Sequence, residues 1–570
     1  MRKLFGLLVL AWMPSVAFGI VDMRNANFSD TWLDLIVPNS GYDLRIQRTY
    51  NSRTLFNGMF GFGWCSDFET KLETTAEGNV KVTQCGGGQE VDYLARDFDP
   101  DKVKKTISEV VKEVKKRNPK MTPSFFTKLE KDLQTDTFLR EEFVRQLNLG
   151  SKLKPGTMYI ALGRENEKIK FSKGKYYRYL PDGTLEVFNT AGLLIQMKDR
   201  NGNFLNINRD PKSGLIDSVV DNNGNKLSFK LAGAAKKVQS IVGPNGIKVS
   251  YVHDGEDLVG MTNAWGSTYS YQYDDHHNLT KISFPDKTFK DIKYNKDKDW
   301  VVSFTDRSQC VEKYEYKDTE KEPLDYYKSL VVKTCGKKVT NKSSYEFWYR
   351  EKPDGTGRYL HRAKSDNNGE VTDTYYHDVF GKPTSVLKNA QRTRYQYYDN
   401  GLLKVRTEPS REMFFKYETK CTKVSQVSTK YFVYESKAKA GGKSKTASAP
   451  VRKLQKEIST QFAYDSKKCN LVVASNSSGQ KIKIGYDRKG RINLIEDQAR
   501  KLVTIMYEER FGKPALVDRP GLGSISIEYD KNGKIQNVKS EQGITVATQV
   551  ANVFNNLLEV IAPATGDLQI

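Results

Sequence analysis

Alternation dominates this chain. In Ser524-Ile525-Ser526-Ile527-Glu528-Tyr529 every second residue is apolar or aromatic, the period that puts one row of side chains on a single face of a strand. The alternation recurs at intervals marked by an aromatic residue followed by Asp, Glu or Asn. Tyr464-Asp465, Tyr486-Asp487, Tyr507-Glu508 and Tyr529-Asp530 are spaced by 22, 21 and 22 residues. His253-Asp254, Tyr273-Asp274, Tyr294-Asn295 and Tyr316-Lys317 are spaced by 20, 21 and 22, and His377-Asp378, Tyr398-Asp399 and Tyr417-Glu418 continue the series more loosely. Polar residues, Gly and then Leu or Ile follow the mark, as in Tyr486-Asp487-Arg488-Lys489-Gly490-Arg491-Ile492. The Asp ends the strand and hydrogen-bonds the turn backbone, and the Gly supplies the positive φ of a tight turn. Two strands and two turns in about 21 residues leave no room for a helix. The predicted fold class is mainly β, an antiparallel hairpin strip with one tyrosine per repeat along a common stripe. Repeats of this sort bury their faces only as arrays.

Two stretches break the rhythm. Over residues 101–155, Val103, Ile107, Val110, Val111 and Val114 recur at helical spacing. Thr122 as N-cap and Pro123 at the first helical position open a second helix, with Phe126, Leu129, Leu133, Phe138 and Leu139 as its contacts. Leu149-Gly150 ends it, or ends a short third helix. Two readings stand for this insertion: a packed cover over one edge of the sheet, and a lid or docking element for a partner. Residues 436–456 carry seven Lys or Arg, no acid and almost nothing to bury, the composition of a flexible loop. The boundaries predicted are a leader over 1–19, β regions over 20–100 and 156–435, the helical insertion, the basic loop, and a C-terminal β region over 457–570.

The formal net charge is +22. Residues 101–155 hold a net +6 and residues 436–456 hold +7, so most of the excess lies in the two insertions and not in a groove along the sheet. Nucleic-acid recognition needs basic residues interleaved with aromatics on one surface, and no specific nucleic-acid binding is expected. Weak attraction to anionic surfaces through the insertions is.

Met1–Gly19 has a basic start at Arg2 and Lys3, an apolar run from Leu4 to Met13, and Ala17-Phe18-Gly19 at its end. That is the pattern of a secretory signal, which predicts a periplasmic, cell-surface or secreted protein. All six cysteines fall after it, as suits an oxidising compartment. Six thiols allow fifteen connectivities. Consecutive pairs flank predicted turns almost symmetrically, so the expected bridges are Cys65–Cys85, Cys310–Cys335 and Cys421–Cys469, each across a hairpin. Zinc is the other reading of cysteines, but no CxxC or Cys–His spacing is present.

The repeat, together with Leu44-Arg45-Ile46-Gln47-Arg48-Thr49-Tyr50-Asn51-Ser52-Arg53 and Gly58-Met59-Phe60-Gly61-Phe62-Gly63-Trp64, resembles the Rhs/YD-repeat family, which includes cocoon subunits of insecticidal toxin complexes and teneurins. Tyr176 to Val187, with its Leu180-Pro181-Asp182-Gly183 turn, and Asp199-Arg200-Asn201-Gly202-Asn203 fit the same pattern. The resemblance covers most of residues 20–100 and 165–550. It implies a β-strip spiralling into a shell that, in full-length relatives, closes and releases a C-terminal toxin. After Tyr529 there is room for one more strand pair, and Asp518-Arg519-Pro520-Gly521-Leu522-Gly523 is followed by an ordinary repeat. A partial shell, without a cleavage site or toxin domain, is therefore expected.

No metal, cofactor or catalytic residue is assigned. His253 and His377 occupy or adjoin the aromatic slot, His276 and His277 sit in a turn, His361 lies apart, and Gly86-Gly87-Gly88 reads as a turn. HExxH, GxSxG and phosphate-loop motifs are missing. The expected function is non-enzymatic: an exported scaffold that encases or presents a protein partner. The alternative is adhesion or binding of envelope polysaccharide through Tyr/Trp-rich strips, and an envelope hydrolase is the third reading.

Overall fold

The computed structural model describes residues 20–39, 41–86, 88–95, 99, 101–149, 155–161, 164, 167–318, 325–353, 358–435, 451–530, 533–540, 545–553 and 558. The leader over 1–19 and residues 436–450 of the basic loop lie outside them. Among the described residues no helix is long and apolar enough to cross a membrane.

The chain builds two sheets of unequal size. A small antiparallel sheet takes Ile20–Asp22, Asn27–Val37, Leu44–Asn51 and Trp64–Ser66 in that order. A single long strip then runs from Lys71–Thr74 to Ile535–Ser540, each strand antiparallel to the next. Alternation behaves as the sequence pattern requires. In Lys248–Asp254, for example, Val249 and Tyr251 are buried while Lys248 and Val252 are exposed. Most of the large buried side chains of the strip share one face, the inner face.

Most repeats share one internal construction. Just before the marking tyrosine the register slips by one residue, at Tyr273, Tyr294, Tyr417, Tyr464, Tyr486, Tyr507 and Tyr529. Such a bulge bends the strand and re-aims a side chain. The tyrosine hydroxyl then donates to a carbonyl of an earlier repeat: Tyr273 to Leu258, Tyr294 to Leu279, Tyr486 to Leu471, Tyr507 to Ile492 and Tyr529 to Pro514, at 2.6–3.1 Å. The following Asp caps the turn, as where Asp487 Oδ1 accepts from the backbone N–H groups of Lys489 and Arg491.

Two marks are displaced by one residue from their expected places. The bonding tyrosine of one repeat is Tyr397, donating to Pro383 O, and Tyr398 takes the turn position held by Asp elsewhere. Likewise the slip falls before Tyr376, so His377 stands in the turn position, where its Nδ1 accepts from the N–H of Val379.

The strip coils on itself. Leu72 N–H donates to Gly192 O at 2.8 Å, the Arg200 guanidinium reaches Cys469 O at 3.3 Å, and Lys423 Nζ reaches Pro181 O at 3.4 Å. At Gly490, whose φ is +81°, an added Cβ would lie 2.0 Å from Asn201 Cγ. Turns near residues 180–203 thus meet turns near 421–490 edge to edge, and the strip forms a partial shell.

Three helices, α1 (Asp101–Arg117), α2 (Pro123–Thr135) and α3 (Thr137–Gln146), interrupt the strip between Glu90–Ala95 and Met158–Ala161, which still pair with each other. Thr122 caps α2 through the N–H of Phe125, and Asp136 caps α3 through that of Leu139. The helices have their own core, with Val110 and Leu133 fully buried. They are tied to the turn at Ala76 by a buried Arg140–Glu77 pair at 2.6 Å.

The structure departs from expectation at two further places. Residues 451–456, placed in the basic loop by composition, belong to the strand Val451–Tyr464 and pair with Tyr431–Glu435. Residues 545–553, placed in the C-terminal β region, are helical.

The three disulfides join the expected cysteines, but only Cys310–Cys335 closes a hairpin between paired strands. Cys65–Cys85 joins the small sheet to the strip. Cys421 and Cys469 lie in two successive turns on the same edge, so their bridge staples neighbouring repeats.

Candidate binding surfaces

The inner face is where the strip meets other polypeptide. Over residues 159–331 it is covered by the small N-terminal sheet, and the two share one apolar core. In Leu44–Asn51 the buried side is Leu44, Ile46, Arg48 and Tyr50, so alternation itself carries an arginine into the interior. Arg48 there pairs with Asp34, and both side chains are 0% exposed. Its Nη2 donates to Tyr271 OH at 3.0 Å, Tyr251 OH donates to Asp34 at 2.8 Å, and the guanidinium lies 4.3 Å from the centre of the Trp64 ring. Burial pulls the Arg48 pKa down, but Asp34 and the two tyrosines outweigh it and hold the guanidinium charged. Burial pushes the Asp34 carboxyl up against the pull of Arg48. A second buried pair, Lys290 with Asp30 at 2.6 Å, repeats the device one strand pair along the strip. These clusters fasten one sheet to the other.

Over residues 403–505 the inner face carries a second apolar core, including Leu403, Phe415, Val427, Phe462, Ile482, Ile495 and Val503. Here the covering element is the helix of residues 545–553. Val550 and Val553 pack into this core and Val546 is buried, the spacing of one helix stripe.

The histidines are dispersed. His253 occupies a tyrosine slot, with Nε2 at 3.2 Å from Phe60 O. His276 pairs with Asp299, and His277 pairs with Asp257 and stacks on Phe62. Among the described residues no group of three His, Cys, Asp or Glu side chains is placed to hold a metal ion. Pairing of Arg48 with residues more than 200 positions away was beyond sequence reasoning. The signal available was an arginine in phase with Leu44, Ile46 and Tyr50.

Residues 19–93, the small sheet and the first strands of the strip, match a family described as Domain of unknown function (DUF6531). No curated protein matches the chain in sequence. Among solved structures, it is similar to the crystal structure of TcdB2-TccC3-Cdc42, at 11% identity and a TM-score of 0.37, covering 90% of this chain. It is also similar to the Photorhabdus luminescens Tc holotoxin pore, at 10% identity and a TM-score of 0.30, again covering 90% of this chain. The chain spans 29% and 30% of the length of those two chains.

Proposed function

We propose that this protein is an exported scaffold of the Rhs/YD-repeat kind, which presents a partner polypeptide held against the inner face of its strip. One observation carries the reading: the inner face at residues 403–505 already seats a helix, through Val546, Val550 and Val553. A surface that accepts an apolar helix stripe from its own chain has the shape and chemistry to accept one from a partner. The first half of the inner face is filled by the N-terminal sheet, which favours presentation over full enclosure there. Export is supported by the Met1–Gly19 pattern and by three disulfides, which persist in oxidising compartments. On this reading function resides in binding and not in catalysis.

The test replaces residues 541–544 with a specific protease site and cuts the folded protein. The C-terminal fragment is expected to stay bound on gel filtration. Excess synthetic peptide of residues 545–570 displaces it, and the same peptide carrying Val546→Asp and Val553→Asp does not. A fragment that leaves on cutting, or is displaced equally by both peptides, would count against a polypeptide-binding inner face.

A further inference from the structure

Between the two cores the strip changes character. Strands Tyr326–Cys335, Lys338–Glu351 and Arg358–Asn367 are 10, 14 and 10 residues long, against about six for a typical strand. Their inner side keeps the core pattern, with Val331 and Phe347 buried. On the outer side the register aligns Tyr326 with Trp348, Trp348 with Arg362, and Arg362 with Tyr375. Four neighbouring strands thus present a row of aromatic, aromatic, guanidinium and aromatic groups, spanning roughly 14 Å at the ~4.8 Å strand spacing. Trp32 and Trp64 lie in the N-terminal sheet, and Trp265 and Trp300 lie in turns. Among the described residues, Trp348 is therefore the tryptophan displayed on the outer side of a strip strand.

The row floors an open groove of about 770 Å³, whose walls include Arg350 and His361. Arg362 lies 4.4 Å from the Trp348 ring centre and 5.3 Å from that of Tyr375. It also donates two bonds to Asp373, at 2.7 and 2.8 Å. Tyr326 OH donates to Glu346 at 2.8 Å, and Arg358 pairs with Asp325 at the groove's end.

We propose that this groove binds a neutral polysaccharide chain. A pyranose ring has an apolar C–H face, which is attracted to the electron-rich face of an aromatic ring, and a rim of hydroxyls that both donate and accept. The groove offers both halves of that pattern: aromatic rings at strand spacing, and guanidinium–carboxylate pairs supplying donors and acceptors side by side. The volume lies in the range of small-ligand clefts, and the few polar groups are held in fixed geometry. A polyanion such as single-stranded nucleic acid is served less well. Its phosphates would meet Asp325 and Glu351 in the lining, and two of the three lining guanidiniums, Arg358 and Arg362, are already paired with Asp325 and Asp373, whereas strand-binding grooves are uniformly basic. The site is on the opposite side of the sheet from the inner face, so it is independent of the scaffold reading.

The experiment uses the chain from residue 20 to 570 and measures its depletion from solution by insoluble cellulose, chitin, curdlan and xylan. Alginate beads and a single-stranded DNA resin serve as polyanionic comparators. At least one neutral polysaccharide is expected to retain the protein, with little change as salt rises. Trp348→Ala and Tyr375→Ala should each weaken retention about tenfold or more, the scale of losing a central aromatic anchor. Trp265→Ala, an exposed tryptophan elsewhere, should leave retention unchanged, and thermal melts of all variants separate binding from folding. Retention by none of the four neutral polymers overturns the proposal. So does retention that survives both groove substitutions, or binding confined to the polyanions and abolished by salt.

Discussion

Removing one oxygen, as in Tyr486→Phe, deletes the 2.8 Å bond to Leu471 O and leaves the ring in place. The expected cost is about 1 kcal/mol. Tyr486→Ala also removes a half-buried ring packed on the second core, and the cost should rise to about 2–4 kcal/mol, below that of a fully buried aromatic. Urea denaturation read by far-UV circular dichroism distinguishes the two steps, and equal losses would show that the hydroxyl, not the ring, fastens the repeat. His253, in the same slot, carries a pH dependence instead. Burial pulls its pKa below the usual value, so the imidazole stays neutral in the fold while the unfolded chain protonates below about 6.5. Stability is therefore lost as pH falls from about 6.5 toward the folded value. His253→Gln should flatten that part of the profile, visible as a smaller drop in melting temperature between pH 7.5 and 5. The Tyr–Asp marks and their turn chemistry were readable because they are local. The hydroxyl's partner was not, since it is a backbone carbonyl of another strand. Nor was the one-residue displacement at Tyr397 and His377, since a bulge leaves no mark in composition.

Hairpins and insertions followed their local patterns closely. The helices over 101–146 announced themselves through apolar spacing and through Thr122 and Pro123. The strand at residues 451–456 was hidden for a physical reason: most of its residues are exposed, so neither side carries an apolar row to read. The helix at 545–553 did carry Val546, Val550 and Val553 at helical spacing, but a preceding run of strands made another strand the default. The disulfides were readable as pairs, but only Cys310–Cys335 has the hairpin geometry expected of all three. Cys421–Cys469 joins adjacent turns and encloses a separation of 48 residues, which by loop-closure entropy contributes about 4 kcal/mol. The double variant Cys421→Ser with Cys469→Ser should shift the urea midpoint accordingly. An unshifted midpoint would mean that neighbouring repeats hold their register without the staple.

At the scale of the whole molecule, the strip was foreseeable as an array and the way it coils was not. Contacts such as Arg200 with Cys469, or Gly490 against Asn201, depend on how curvature accumulates over many bulges, and no local pattern reports that sum. The outer groove was likewise unreadable as a site, because Tyr326, Trp348, Arg362 and Tyr375 become neighbours only through the register of long strands. The direction of the tyrosine bonds has a consequence for how the chain is made. Most of these hydroxyls reach back about 15 residues, and that of Tyr464 reaches back 40, to a carbonyl already synthesised, so a repeat emerging N-terminus first finds its attachment point waiting. Growth by such local steps has low contact order and proceeds quickly. The N-terminal sheet stands outside this sequence of events. Arg48 and Asp34 meet Tyr271 and Tyr251 only 223 and 217 residues later, and until then their charges stay hydrated. The N-terminal sheet is therefore synthesised well before the strands that fasten it, and its clasp closes only once the middle of the strip exists.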